Sequence, residues 1–192
     1  MEGWIDFDKI SVAQTSLEML LYCLKSVKNK PEYWQWIYIT LHSAVQGYMV
    51  LALTGTNSLL TYSDECAKEW LRCYENETAL PDCYLDKFMN LYQKIKSDRF
   101  LLFLNTQKYQ PTSSQKRNIK RLNDIRNTFV HYKIDLFMAS QSDFPFEIIL
   151  GCLNFIEFLA LKSNNIFWGE EENKSTVEKL LNDCRAVIQC SE

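Results

Sequence analysis

Histidine, proline and glycine are the scarce residues of this chain, at two, four and five among 192. Scattered glycines exclude a glycine-rich phosphate loop, which needs several of them close together. With His42 and His131 the only imidazoles, no histidine or cysteine spacing builds a zinc site. A serine or cysteine triad would have to borrow one of these two histidines without any recognisable nucleophile turn. No strand alternation, internal repeat or low-complexity tract is present. The seven cysteines, Cys23, Cys66, Cys73, Cys83, Cys152, Cys184 and Cys190, contain no C-x-x-C pair and mostly continue helical apolar stripes. Free buried thiols are therefore expected. The odd count, with no charged-then-apolar leader, points to a reducing cytoplasm. The longest apolar run, residues 33–53, is broken by His42, Ser43 and Gln46, so it suits a core helix better than a membrane span.

What is present is apolar and helical. A hydrophobic content of 47% over this length is enough to bury a core, and the whole chain, 1–192, is read as one domain. Apolar residues recur at the three-and-four spacing of a buried helix face over 10–27, over 31–54 with Pro31 in the first turn and Gly55 to end it, and over 63–74 with Ser63 as cap. Asp82 is placed to cap a fourth helix carrying Leu85, Phe88, Met89, Tyr92 and Ile95. A polar loop, 105–115, leads to a helix capped by Ser113 or Ser114. Pro145 opens another helix to about Lys162, in which Gly151 permits close packing. The acids of 170–172 sit in a linker, and Ser175 with Glu178 forms a capping box for the last helix. The expected architecture is an all-α compact bundle of about six or seven helices.

One stretch, residues 117–133, combines packing with chemistry. Ile119, Leu122, Ile125, Phe129 and Tyr132 form its apolar face, which makes Tyr132 a packing residue. Within it, RNTFVH places Arg126, then the polar Asn127, then His131 after four intervening residues. Asn127 and His131 share a face, whereas Arg126 and His131 lie about 140 degrees apart on an ideal helix. His42 and Gln46 line a more polar flank of the second helix and are candidate supporting residues; His42 is the competing second histidine, and a structural role suits its apolar setting. Over 108–133 seven basic residues face the single acid Asp124, a local charge of plus six on a chain whose net charge is −3. Arg117, Lys120, Arg121 and Lys133 are thus candidate phosphate contacts. The competing reading is a solvated helix face balanced by acids such as those at 170–172.

The Arg126, Asn127 and His131 pattern, embedded in LNDIRNTFVHYK near the end of a basic helix, resembles the signature of the HEPN family, helical domains found in many prokaryotic toxin and defence ribonucleases. That resemblance implies a metal-independent, cofactor-free endoribonuclease with its arginine and histidine at a twofold dimer interface, and a possible cognate antitoxin or regulator. Imidazole suits proton transfer to and from the 2'-hydroxyl chemistry near neutral pH, and a guanidinium is shaped to hold the charge that grows on phosphoryl oxygens. Two proton transfers with one motif histidine per chain are met by a symmetric pair of chains. In the branch that pairs with nucleotidyltransferase antitoxins, a tyrosine two residues after the histidine is modified. Here that position is Lys133, so the modification is not expected. The alternative is a non-catalytic helical module that binds RNA, nucleotide or a partner protein.

Overall fold

The computed structural model describes residues 4, 7–132 and 145–190. Among these, the chain forms seven α-helices: α1 (Lys9–Ser26), α2 (Tyr33–Thr54), α3 (Asp64–Glu75), α4 (Phe88–Lys96), α5 (Ser113–Val130), α6 (Phe146–Glu157) and α7 (Glu171–Gln189). The all-α bundle expected from periodicity is the observed one.

α2 is the hub, packed against α1, α4, α5 and α6. Its buried residues include Ile37, Tyr38, Leu41, Ala44, Val45, Tyr48, Met49 and Leu53, a face wide enough to leave only Trp36 and Ser43 exposed. A helix with so wide an apolar face belongs in a bundle centre, where each fully buried aliphatic side chain contributes roughly 1.5–3 kcal/mol. It is also long and apolar enough to cross a membrane, by length and composition alone. Gly55 ends it in the left-handed region, with φ of 48°. α1 starts on a capping box in which the Asp8 carboxylate accepts from the Ile10 and Ser11 N–H groups and the Ser11 hydroxyl receives the Asp8 N–H. α1 and α2 approach so closely at Ala13 that a Cβ on Gly47 would sit 2.9 Å from the Ala13 Cβ. Gly151 lies as expected at a close crossing, where α6 meets Asn118 of α5.

Several boundaries differ from the sequence expectation. α4 begins at Phe88, not after Asp82, because Cys83 and Leu85 are held extended: Cys83 is disulfide-bonded to Cys66, and Leu85 forms an antiparallel bridge with Tyr62. The bridge and disulfide close α3 and the loop that follows into an excursion. No residue of α3 is buried; Leu71, Tyr74, Leu80 and Tyr84 are all exposed. The root of the excursion is clamped by the buried pair of Lys94 and Asp86, 2.6 Å apart, with Lys94 also donating to the Tyr62 carbonyl. Burial alone would raise the Asp86 carboxyl, but hydrogen bonds from Lys94, Asn90 and the Lys87 N–H outweigh it and hold the group below its ordinary range. The expectation of free buried thiols holds for Cys23, Cys152 and Cys184; Cys73 and Cys190 are free but half-buried and exposed, and Cys66 and Cys83 are not free. An unpaired-cysteine argument for a reducing compartment therefore does not extend to that pair. Seventeen residues of separation concealed it, since no local pattern announces a non-local bond.

α5 is capped by Thr112 rather than Ser113 or Ser114, in a capping box with Gln115. α7 opens at Glu171, so Ser175 is interior and bonds the Glu172 carbonyl, while of the acids expected in a linker Glu170 takes the N-cap position and Glu171 and Glu172 the first turn, where the helix dipole favours them. A π-turn, Phe158–Lys162, widens the end of α6. Buried Asn165 just beyond it donates to the Phe100 carbonyl at 2.8 Å and accepts from the Thr106 hydroxyl at 2.5 Å. That network anchors the polar loop leading into α5, and so fixes where the basic helix starts.

Candidate nucleic-acid site on α5

α5 packs on α2 and α6 through Ile119 and Leu122, both buried, with Ile125 and Phe129 partly so. Polar residues three and four apart then border α2. Asn123 stands opposite His42, whose Nε2–H, in the tautomer protonated there, donates to Asn123 Oδ1 at 3.4 Å. The His42 ring stacks on Phe88 of α4, centroids 4.1 Å apart and planes inclined by 22°. Burial, with the Arg126 guanidinium beside it as second cause, pushes His42 down to about 4, although the Asn123 bond opposes the shift. His42 is thus a neutral, buried imidazole at pH 7 whose environment includes the motif arginine.

Arg126 is half-buried and donates to Asn127 Oδ1 at 3.0 Å. Among the described residues it forms no ion pair with a carboxylate. The same is true of Lys116, Arg117, Lys120 and Arg121, all exposed; of the basic residues in 108–132, only Lys108 is paired, with Asp98 at 2.5 Å. Glu170, Glu171 and Glu172 make no ion pair among the described residues either, so the acids do not neutralise this helix by contact.

His131 caps the C-terminus of α5. Its backbone N–H reaches the Asn127 carbonyl at 3.2 Å and its ring is exposed, at a helix end where a cation is favoured. The structure joins Arg126 to Asn127 and places Arg126 beside His42. It does not join Arg126 to His131 by any hydrogen bond among the described residues. Gln46 is half-buried one turn beyond His42 and makes no side-chain hydrogen bond among the described residues. Lys133 lies outside the described residues.

Tyr132 corrects the sequence reading. It is not a packing residue: it is 89% exposed, and its φ of 48° turns it off the helical path that would have carried it back to the apolar face. Sequence reasoning also missed Asn123 and Phe88. Asn123 was detectable in principle, since it lies three and four residues before Arg126 and Asn127; the Phe88 stack was not, because it joins residues far apart in the chain.

The best-formed cleft elsewhere, about 380 Å3, is lined by Asp64, Asp86, Asn90, Lys94 and Arg99 among others. Its cations are already committed, Lys94 to Asp86 and Arg99 to Asp64. Among the described residues no three side chains of His, Cys, Asp or Glu converge as a metal site. Comparison of the chain with protein-family models, curated proteins and solved structures returns no match.

Proposed function

We propose that the chain is a metal-independent endoribonuclease of HEPN type, cleaving RNA by attack of a 2'-hydroxyl on the adjacent phosphate. The observation that carries this reading is Arg126, a half-buried guanidinium without a carboxylate partner among the described residues, flanked by neutral side chains. A cation partly withdrawn from water is costly unless an anion completes it, and a phosphoryl group in which charge is growing fits a guanidinium well. Asn127 holds that guanidinium, and His131 transfers the proton. Because Arg126 and His131 diverge on α5, the working site combines Arg126 of one chain with His131 of a second across a twofold axis, which also supplies two imidazoles. The setting proposed is a cytoplasmic toxin or defence protein with a cognate regulator.

A second reading, a non-catalytic helical module that binds RNA, nucleotide or a protein, draws on that same divergence within one chain. The two are separated by incubating the protein and its Arg126→Ala and His131→Ala variants with mixed cellular RNA in excess chelator and mapping new ends. The ribonuclease reading expects cleavage by the wild type and at least a hundredfold loss in each variant. Equal cutting by all three refutes the site; retention of RNA without any new ends favours the module.

A further inference from the structure

Two of the unpaired cations of α5, Lys116 and Lys120, share one flank of the helix with Asn123, Asn127 and His131 at spacings of three and four, while Arg117 and Arg121 lie on another. That flank borders α4: Asn123 reaches His42 beneath Phe88 at the start of α4, and Lys116 acts on Lys96 at its end. Lys96 lies over the Tyr92 ring, 4.9 Å from its centroid, and is held below its usual range by burial and then by Lys116. Lys96 and Lys116 thus bring two ammonium groups without a carboxylate partner among the described residues to the same border, a setting that favours an anion. From Lys116 to His131 the line runs about 22 Å at 1.5 Å per residue. At its far end stands Tyr132, an aromatic ring exposed by a backbone conformation that bulky residues rarely adopt.

We infer that the α4/α5 border is a track for single-stranded RNA, in which Lys96, Lys116 and Lys120 follow the phosphates and Tyr132 stacks a base beside His131. This rests on the ribonuclease reading for the identity of the nucleic acid, and adds which strand form is taken and where it lies. Three lysines along the border of α4 and α5 follow one backbone, whereas a duplex is gripped across two strands and presents no free base face to Tyr132. The track leads the strand past Asn127 to His131, where Arg126 of a second chain completes the site.

The test uses a fluorescein-labelled twelve-nucleotide oligouridylate, with binding followed by anisotropy over a salt series in the full chain carrying His131→Ala. The triple variant Lys96→Gln, Lys116→Gln and Lys120→Gln is expected to lower the slope of log affinity against log salt by about two, since each phosphate contact on a single strand contributes about 0.7. Lys25→Gln, Lys68→Gln and Lys179→Gln together make the same charge change on exposed sites of other helices and are expected to leave the slope in place. Tyr132→Ala is expected to weaken binding about tenfold or more, and Tyr132→Phe to preserve it. A duplex of equal length is expected to bind at least tenfold more weakly. An unchanged slope in the first triple variant, an equal loss in the second, no effect of Tyr132→Ala, or equal binding of the duplex overturns the track. Cleavage is scored separately with native His131: binding that follows the track without any cleavage leaves the track standing and removes the ribonuclease reading. Cleavage that ignores the three lysines does the reverse.

Discussion

A histidine at 4% exposure, stacked on a phenylalanine and beside a guanidinium, refuses a proton that the same histidine in an unfolded chain accepts. The unfolded group titrates near 6.5 and the folded one is pushed down to about 4. Above pH 6.5 neither state is protonated at His42, and its contribution to stability is complete. Between 6.5 and 4 the unfolded state gains the proton alone, so stability falls by about 3 kcal/mol across that window and levels off below it. Urea unfolding at pH 7 and pH 4 should show that loss in the wild type and lack this part of it in His42→Gln; an identical drop in both would dismiss the account. Arg126→Gln, by removing a charge that opposes protonation, should move the His42 imidazole upward in an NMR titration.

At the scale of elements, the informative helix is α3. Its Ser63 cap and its spacing of Cys66, Trp70 and Cys73 were readable from the sequence, and the cap is observed. What its amphipathic pattern could not convey is that the apolar side faces the loop and solvent rather than the core, because burial depends on what arrives opposite. The same limit explains α4: Asp82 is a plausible cap until Cys83 and Leu85 are paired with partners many residues upstream. A helix of twelve residues that buries none of them is marginal alone, so the Cys66–Cys83 bond has much to do. A disulfide closing a loop of this size stabilises by roughly 3 kcal/mol. Hydrogen exchange on Cys66→Ser/Cys83→Ser, or on the reduced protein, should show α3 exchanging freely while α1 and α2 stay protected. Uniform loss of protection across the bundle would mean that the excursion is integral to the core. In contrast, the Gly47 contact with Ala13 is integral: Gly47→Ala should lower stability by roughly 1–3 kcal/mol in thermal unfolding, because two backbones must separate to admit one methyl group.

For the molecule as a whole, local periodicity was enough to read the bundle, because every helix of the core writes its own apolar face into the chain. The candidate site was half legible. Arg126, Asn127 and His131 announce themselves by spacing, whereas the His42 to Asn123 bond, the Phe88 stack and the nearness of Lys96 to Lys116 exist only after α2, α4 and α5 have packed. If one Arg126 and one His131 from opposite chains suffice for a site, mixing Arg126→Ala with His131→Ala chains should restore up to about a quarter of wild-type cleavage under random pairing, and if both imidazoles of the pair are needed it should restore far less. Sedimentation should show dimers at the same concentration. No recovery in a preparation that sediments as dimers would place both residues back in one chain.

The chain leaves the bundle at Tyr62 and rejoins it at Leu85, two residues bridged to each other, with Lys94 and Asp86 fastening the junction from inside. Everything between them therefore begins and ends at one point in space, like a handle riveted at both feet. Such a junction tolerates exchange of what it carries: the handle can be shortened to a tight turn, or replaced by a reporter domain, while α2 and α4 keep their register.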